Sequence, residues 1–197
     1  MRVAVLTVDQ RNSRGQDDRV PTMLSTLNTI VSLRPFERTA GDEIQGVLVQ
    51  PAALRQVLET LIRAGDWNVG VGIGEVETPL PPSTRAGRGP AYLSARSAVT
   101  SAKSTPWNLR VVGDQGYRCR QLETVLWLWS AVLSRRTARG WEVADLVDEG
   151  LSYDEAARRL GITQSAVSQR AQAAALVEGR RARELTEQLA AELVEGG

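Results

Sequence analysis

Residues 155–170 read EAARRLGITQSAVSQR, a pattern typical of two short helices joined by a tight turn. Gly161 stands at the join, where a residue without a side chain permits the left-handed backbone that such a turn needs. Ala157 is small at the point where the two helices would cross, and Val167 offers an apolar contact from the second helix. The spacing predicts a helix-turn-helix, with a plain helical hairpin as the structural alternative.

Capping signals mark both helices of this motif. Ser152 and Glu155 have the spacing of a capping box, which opens the first helix. Thr163 is suited to the N-cap of the second helix. The apolar residues expected to close a three-helix core, with a support helix before the motif, are Val143, Leu146, Val147, Leu160, Ile162 and Val167.

The second helix of the motif carries side chains that are able to contact DNA. Hydroxyl and amide groups bond base edges in the major groove, and arginines bind phosphates. The predicted DNA-binding residues are Arg158, Arg159, Thr163, Gln164, Ser165, Ser168, Gln169 and Arg170. We therefore expect a transcriptional regulator that binds double-stranded DNA. Contact with another protein is the other use of such motifs.

The charge distribution favours the same interpretation. The chain has 197 residues and a net charge of only +1. Between residues 156 and 183, however, six arginines are opposed by a single acid, Glu178. A local surplus of this kind attracts phosphates even on a nearly neutral protein, although an ordinary solvated helix surface would have the same composition.

The composition excludes several classes of site and location. The chain has no histidine and one cysteine, Cys119, so no histidine-based catalysis and no disulfide within the chain are expected. Any bound metal would need oxygen ligands, which favours Mg²⁺, Mn²⁺ or Ca²⁺. No apolar stretch reaches the ~18–20 residues that span a bilayer, and the first residues lack the features of a signal peptide. We expect a cytoplasmic protein with no membrane partner.

The first half of the chain alternates strand and helix patterns. Residues 3–8 are apolar and mostly β-branched, as in a strand buried on both faces. Residues 20–31 have apolar side chains at helical spacing. Residues 67–74 alternate apolar residues with glycines, and such a bare strand face lets a helix or a ligand approach closely. The predicted order is β-α-β-β-α-β followed by a helix and a strand, which is the split βαβ or ferredoxin-like pattern.

The predicted fold class is α+β with two domains. A ferredoxin-like domain covers residues 1–115, and an all-α domain over residues 116–197 contains a connector helix, the helix-turn-helix and a C-terminal helix. Trp127 lies off the apolar stripe of the connector helix, so it faces the first domain, a partner subunit or solvent. A narrow stripe near the C-terminus either packs back on the motif or forms a dimer seam, and its members are Ala182, Leu185, Leu189 and Leu193. We expect a homodimer, since DNA readers of this type usually bind as two-fold dimers.

Acidic residues mark two points that a split βαβ sheet brings side by side. Asp9 ends the first strand, and Asp42 and Glu43 occupy the tip of a later hairpin. Converging carboxylates hold a divalent cation beside phosphates. An aspartate at a strand end is also a common turn residue, so the pattern leaves both interpretations open.

Several short motifs in this order resemble the SatD family. They are VDQRNSR at residues 8–14, GDEIQG at 41–46, GIG at 72–74 and GPAYLSAR at 89–96. The C-terminal helix-turn-helix also fits that family, so the resemblance covers most of the chain.

The N-terminal half in turn resembles the palm fold of nucleotide cyclases and GGDEF domains. In that fold one metal-binding acid ends the first strand and another lies in the hairpin, which implies Asp9 and Asp42 as ligands of Mg²⁺ or Mn²⁺. The resemblance also implies phosphate contacts for Arg11, Arg14 and Arg96. The implied ligand is a nucleotide or a cyclic dinucleotide.

The sequence departs from the palm pattern at two points. The hairpin reads AGDEI at residues 40–44 and not Gly-Gly-Asp-Glu-Phe, and the chain has one lysine, Lys103, with no recognisable catalytic lysine or transition-state arginine. The resemblance therefore supports an inference about the fold better than one about catalysis.

The sequence leaves three functions open. The first is a transcription regulator whose palm-like domain senses a nucleotide-type ligand or only dimerises. The second is a metal-dependent nucleotide cyclase or nucleotidyltransferase with a DNA-binding appendage. The third is a structural DNA-binding protein whose palm domain binds no ligand.

Overall fold

A computed structural model describes residues 1–15 and 17–196, without the side chain of Arg14. Within these residues the chain forms an α+β fold with a five-stranded mixed sheet and eight α-helices. The strands are β1 (Arg2–Gln10), β2 (Arg34–Ala40), β3 (Glu43–Leu48), β4 (Trp67–Glu75) and β5 (Leu109–Gly113). The helices are α1 (Val20–Leu27), α2 (Pro51–Ala64), α3 (Pro90–Ala102), α4 (Gly116–Leu133), α5 (Ala138–Asp148), α6 (Tyr153–Leu160), α7 (Gln164–Ala173) and α8 (Leu176–Val194).

The strand order across the sheet is β2-β3-β1-β4-β5. β1 runs antiparallel to both β3 and β4, whereas β5 runs parallel to β4. Because β1 is central, its buried residues pack on both faces of the sheet. Leu6 and Val8 contact one apolar cluster with helices α1, α2, α4 and α8, and Val3 and Val5 contact the other cluster with α3.

Glycines let α3 lie directly on β4. A Cβ atom at Gly70 would lie 2.2 Å from the backbone nitrogen of Val99, and one at Gly72 would lie 2.2 Å from the carbonyl oxygen of Ala91. The bare face of this strand, predicted to admit a helix or a ligand, therefore holds a helix.

The helix-turn-helix has a small apolar core of its own. Helices α5, α6 and α7 meet around a buried cluster, against which Leu146, Val147, Leu160 and Ile162 pack from the edge. The buried members are Val143, Ala144, Ala156, Ala157, Val167, Ala171, Ala174 and Leu176. The predicted core residues, including those of the support helix, are confirmed.

Helices α4 and α8 complete the core of the sheet. Leu122 and Leu126 of α4 and Leu189 and Leu193 of α8 are buried in the cluster that contains the strands. The indole N–H of Trp127 donates to the carbonyl of Leu109 at 3.0 Å. Of the three orientations open to Trp127, the side chain adopts the one toward the first domain.

Two sequence predictions need correction in this part of the fold. The first helix ends at Leu27 and does not reach residue 31, because the Asn28 amide pairs with the backbone of Phe36 on β2, at 2.8 and 3.0 Å. Of the C-terminal stripe, Ala182, Leu189 and Leu193 pack on the core of the sheet, and Leu185 is 42% exposed. Leu189 and Leu193 lie inside the chain against α4, so these two side chains are unavailable for a dimer contact.

Ion pairs join the helix-turn-helix to the sheet domain. Arg183 of α8 contacts Glu59 of α2 and Asp148 of α5, at 2.5 and 2.6 Å. Arg63 of α2 forms a bidentate pair with Asp145 of α5, at 2.7 and 2.8 Å. The network ties α2, α5 and α8 together.

Trp141 of α5 lies within the same contact region. Its ring has the guanidinium carbon of Arg63 at 4.1 Å and that of Arg136 at 4.8 Å. Cation–π contacts of this kind add to the ion pairs, so the position of the helix-turn-helix relative to the sheet is defined by specific side chains. No helix in the described ranges is both long enough and apolar enough to cross a membrane.

Candidate functional site

The turn of the helix-turn-helix has the predicted left-handed glycine. Gly161 ends α6 with φ 65° and ψ 33°. The amide of Ile162 donates to the carbonyl of Ala157 at 3.1 Å and closes the turn. A Cβ atom at Gly161 would meet nothing within 4 Å, so the requirement for glycine comes from the backbone conformation and not from crowding.

Both predicted caps are present. The Ser152 hydroxyl accepts from the amide of Glu155 at 3.3 Å, and the Glu155 carboxylate accepts from the amide of Ser152 at 2.8 Å. These contacts form a capping box and lower the pKa of Glu155, chiefly through the hydrogen bond from the Ser152 side chain. The Thr163 hydroxyl accepts from the amide of Ala166 at 3.1 Å and caps α7.

One side of α7 is open to solvent. Val167 and Ala171 are buried on the inner side of the helix. The predicted base-reading side chains are all exposed, namely Thr163, Gln164, Ser165, Ser168 and Gln169. The local fold therefore places hydroxyl and amide groups on an accessible helix surface.

The arginines of the motif fall into two groups. Arg158 and Arg159 are exposed in the last turn of α6. Arg170 is half-buried, with Nη1 3.7 Å from a carboxylate oxygen of Glu142. Arg183, which adds to the basic surplus in the sequence, is held by carboxylates of α2 and α5. The basic surface near α7 is thus smaller than the sequence predicts.

A polar cleft lies at the end of β1. It has a volume of about 910 Å³. Its lining residues are Asp9, Gln10, Arg11, Asn12, Ser13, Gly15, Asp42, Asn68, Lys103 and Asn108. The fold brings the predicted acids Asp9 and Asp42 to one cleft, together with Arg11.

Asp9 is already engaged by two donors. Its Oδ2 atom accepts from Nδ2 of Asn68 at 3.0 Å and lies 2.9 Å from Nζ of Lys103. The side chain of Asp9 is 15% exposed and that of Lys103 is 56% exposed. The only lysine of the chain therefore supplies a positive charge at the carboxylate.

Arg96, another predicted phosphate contact, does not line the cleft. Nη1 of Arg96 lies 2.6 Å from Oε2 of Glu43, so this arginine pairs with the hairpin acid and is not among the lining residues. The second oxygen of Glu43 accepts from the Thr39 hydroxyl at 2.8 Å. The side chain of Arg14 lies outside the described part of the structure.

The residues of the cleft do not suit a divalent cation as they stand. A metal at Asp9 would have to displace the Lys103 ammonium, which is 2.9 Å from the carboxylate. In the part of the chain that the structure describes, no group of three or more histidine, cysteine or acidic residues is arranged to hold a metal ion. The carboxylates converge as predicted, but the positive charge beside Asp9 comes from the protein itself.

A second pocket adjoins the cleft and shares Arg11 and Asn108 with it. This pocket has a volume of about 300 Å³ and is lined by Trp67 and Trp107 among other residues. It offers aromatic surface next to a polar wall. A ligand with a planar ring and a polar group could occupy both spaces.

Sequence reasoning missed three residues of the cleft. Asn68 lies opposite Asp9 in the pairing of β1 with β4, and Lys103 follows the last residue of α3. Asn108 has a left-handed backbone, with φ 51°. The sequence singles out Lys103 only as the one lysine of the chain. Its position beside Asp9 follows from the strand order and from the packing of α3.

No protein-family model and no curated protein matches this chain. The resemblance to the SatD family therefore rests on the short motifs and their order along the chain. What that resemblance implies about activity, cofactor and ligand remains a prediction.

Proposed function

We propose that the protein is a transcriptional regulator that binds double-stranded DNA through α7. The observation that carries the proposal is the solvent-exposed row of hydroxyl and amide side chains on a helix held by a left-handed glycine turn. An α-helix fits the major groove, and glutamine forms paired hydrogen bonds with adenine there. Gln164 and Ser165 begin α7, the end of a recognition helix that contacts base edges.

The charges around α7 support the same orientation. Arg158 and Arg159 are exposed one turn before the recognition helix. Contacts from arginines to phosphates fix the register of a protein on the duplex. In this proposal the two arginines position α7, and its amide side chains read the sequence.

The test is DNA selection followed by variant binding. A randomised duplex pool is enriched on the full chain, and affinities for the selected site are measured by fluorescence anisotropy. Gln164→Ala is expected to cost about 1–3 kcal/mol at its preferred base and to relax the choice of base there. Gln188→Ala, an exposed amide on α8, serves as the matched control. Enrichment of no sequence, or unchanged affinity in Gln164→Ala, would contradict the proposed reading face.

We propose a palm-like, ferredoxin-like fold for the sheet domain and a sensing role for its cleft. The strand order β2-β3-β1-β4 and the antiparallel pairing of β1 with both neighbours support this assignment and the SatD resemblance. The effector would be a nucleotide or a cyclic dinucleotide. Its binding would change DNA affinity through the ion pairs between α2 and α5.

Dimerisation belongs to the same proposal, because two recognition helices would read the halves of a palindromic site. The buried Leu189 and Leu193 cannot form the seam, so the contact would use another surface. Removing residues 180–197 would also remove part of the core. Leu185, which is 42% exposed, permits a gentler test. If Leu185→Glu leaves the sedimentation coefficient of a dimer unchanged, the tail plays no part in it.

The second candidate is a metal-dependent nucleotide cyclase or nucleotidyltransferase with a DNA-binding appendage. The observation in its favour is that Asp9 and Asp42 line one cleft. Mixing the protein with ATP or GTP and Mg²⁺ and measuring pyrophosphate separates the candidates. Release that Asp42→Ala abolishes favours the enzyme, whereas thermal stabilisation without turnover favours the sensor. Neither response would favour a structural DNA-binding protein.

A further inference from the structure

We propose that Lys103 takes the place of a divalent cation at Asp9, and that the cleft binds the phosphates of a nucleotide without a metal. The inference rests on the proposed sensing function and specifies how the ligand is held. It also separates this cleft from a catalytic palm site, where the resemblance implies Mg²⁺ or Mn²⁺ on the same carboxylates.

One carboxylate oxygen of Asp9 is shared by two donors. Nζ of Lys103 lies 2.9 Å from Oδ2 of Asp9, and the Asn68 amide donates to the same oxygen at 3.0 Å. A divalent cation bound to Asp9 would lie within a few ångströms of the ammonium, and like charges at that distance repel strongly in a partly buried site. Lysine and metal therefore compete for one position.

The charged side chains that line the cleft balance one another. Its lining residues include the carboxylates Asp9 and Asp42 and the cations Arg11 and Lys103, so the formal charges cancel. A pair of bare carboxylates would repel phosphate and would need a metal to admit it. With both cations in place, the lining residues that the structure describes carry no net charge against an anion.

Lys103 and Arg11 both have N–H donors left for a ligand. An ammonium has three N–H donors, and a guanidinium has five. Asp9 uses one donor of Lys103, and the carbonyl of Gly65 accepts one hydrogen bond from Nη1 of Arg11 at 3.2 Å. Lys103 can then contact Asp9 and a phosphate at once, and Arg11 keeps donors for a further phosphate oxygen in the same cleft.

The adjoining pocket explains why a nucleotide suits the site better than a free phosphate. Arg11 and Asn108 line both spaces, and the smaller pocket adds Trp67 and Trp107. Aromatic side chains stack on bases without regard to sequence. A nucleoside phosphate placed across Arg11 would set its phosphates beside Lys103 and its base beside the indole of Trp107, which is 36% exposed, whereas Trp67 is buried.

The metal part of the proposal is tested with Mn²⁺ alone. The free ion is followed by electron paramagnetic resonance while the full chain is titrated. We expect no stoichiometric binding to the wild-type protein. One Mn²⁺ per chain, lost in Asp9→Asn, would overturn the proposal, because the carboxylate would then hold a metal despite Lys103.

The ligand part is tested by calorimetry with ATP, GTP and pyrophosphate, each in EDTA and in Mg²⁺. We expect a nucleotide to bind equally in both buffers and more tightly than pyrophosphate. Lys103→Met should weaken it on the order of tenfold, as expected for a lost hydrogen bond to a charged group. Arg120→Met, which removes an exposed charge from α4, is the matched control.

The outcomes remain distinct from those of the proposed function. Binding that requires Mg²⁺, or unchanged affinity in Lys103→Met with a native circular dichroism spectrum, would overturn the inference and leave nucleotide sensing intact. If neither ATP nor GTP binds in either buffer, the inference is overturned, and the sensing function is left with a cyclic dinucleotide as its proposed effector. The DNA-binding proposal is independent of all three results.

Discussion

Gly161 acts through its backbone, and this permits a prediction at the scale of one residue. Its φ of 65° is unfavourable for a residue with a side chain, yet a Cβ atom there would meet nothing within 4 Å. Gly161→Ala should therefore lower the free energy of unfolding by about 1–2 kcal/mol. Gly161→Asn should cost less, because asparagine tolerates the left-handed region. Urea denaturation measures both, and equal losses would show that crowding matters after all.

Arg158 tests the phosphate contact at the same scale. This side chain is exposed at the end of α6 and is proposed to bind the DNA backbone. Arg158→Ala should weaken binding to all sequences alike and reduce the salt slope by about 1. Anisotropy titrations across a range of KCl concentrations measure the slope. A loss confined to one sequence would assign Arg158 to base reading instead.

The contact of α3 with β4 illustrates how a strand determines where a helix lies. A Cβ atom at Gly72 would lie 2.2 Å from the carbonyl oxygen of Ala91, whereas one at Gly74 would lie 3.6 Å from the nearest backbone atom. Gly72→Ala should destabilise the protein by about 3 kcal/mol, since rigid backbone must move. Gly74→Ala is the matched control and should be nearly neutral. Thermal or urea unfolding of both variants provides the comparison, and similar values would contradict this packing.

The capping box makes the stabilisation of α6 depend on pH. Glu155 has a lowered pKa, chiefly because the Ser152 side chain hydrogen-bonds to it. A folded pKa below the unfolded one means that the stabilisation is complete above the unfolded pKa and disappears as the pH falls through the folded pKa. Ser152→Ala should lower the melting temperature near neutral pH, and the difference from wild type should shrink in acid. A difference that grows in acid would contradict this account.

At the scale of the whole molecule, Arg183 joins the two parts of the chain. Its guanidinium contacts Glu59 and Asp148, and these hydrogen bonds, that to Asp148 first, raise its pKa. The side chain of Glu59 is only 14% exposed, and Arg183→Met removes this partner from its carboxylate. We expect a loss of about 2 kcal/mol in stability, less than for a fully buried pair.

The same variant tests whether the network couples the cleft to DNA. The ratio of DNA affinities with and without the nucleotide that binds should move toward one in Arg183→Met, because one of the two ion-pair links between α2 and α5 is lost and only the pair of Arg63 with Asp145 remains. Arg120→Met should keep the wild-type ratio. An unchanged ratio in Arg183→Met would mean that coupling takes another route.

Much of the helix-turn-helix was predictable because its determinants are local. The capping box joins Ser152 to Glu155, the second cap joins Thr163 to Ala166, and the turn depends on Gly161. Each interaction spans three residues or fewer, so it follows from the sequence window in which it occurs. The α+β class and the succession of strands and helices along the first half of the chain were also accessible, because buried strands and amphipathic helices have different periods.

Other features depend on partners that are distant in the sequence. The end of α1 depends on the pairing of Asn28 with Phe36, and the C-terminal stripe packs on α4 because the sheet needs a cover there. Arg96 binds Glu43 and not the cleft. Helical or strand periodicity identifies the face of an element that is buried, but it does not predict which other element packs on that face.

Local chemistry along the chain is thus enough to define a motif suited to reading DNA and a strand-end aspartate suited to binding a charge. The tertiary structure decides which positive charge lies beside this aspartate. Lys103 reaches Asp9 only because β4 pairs with β1 and α3 lies across them. An ion pair between residues so far apart in sequence is set by the packing of whole elements, and no local pattern encodes it.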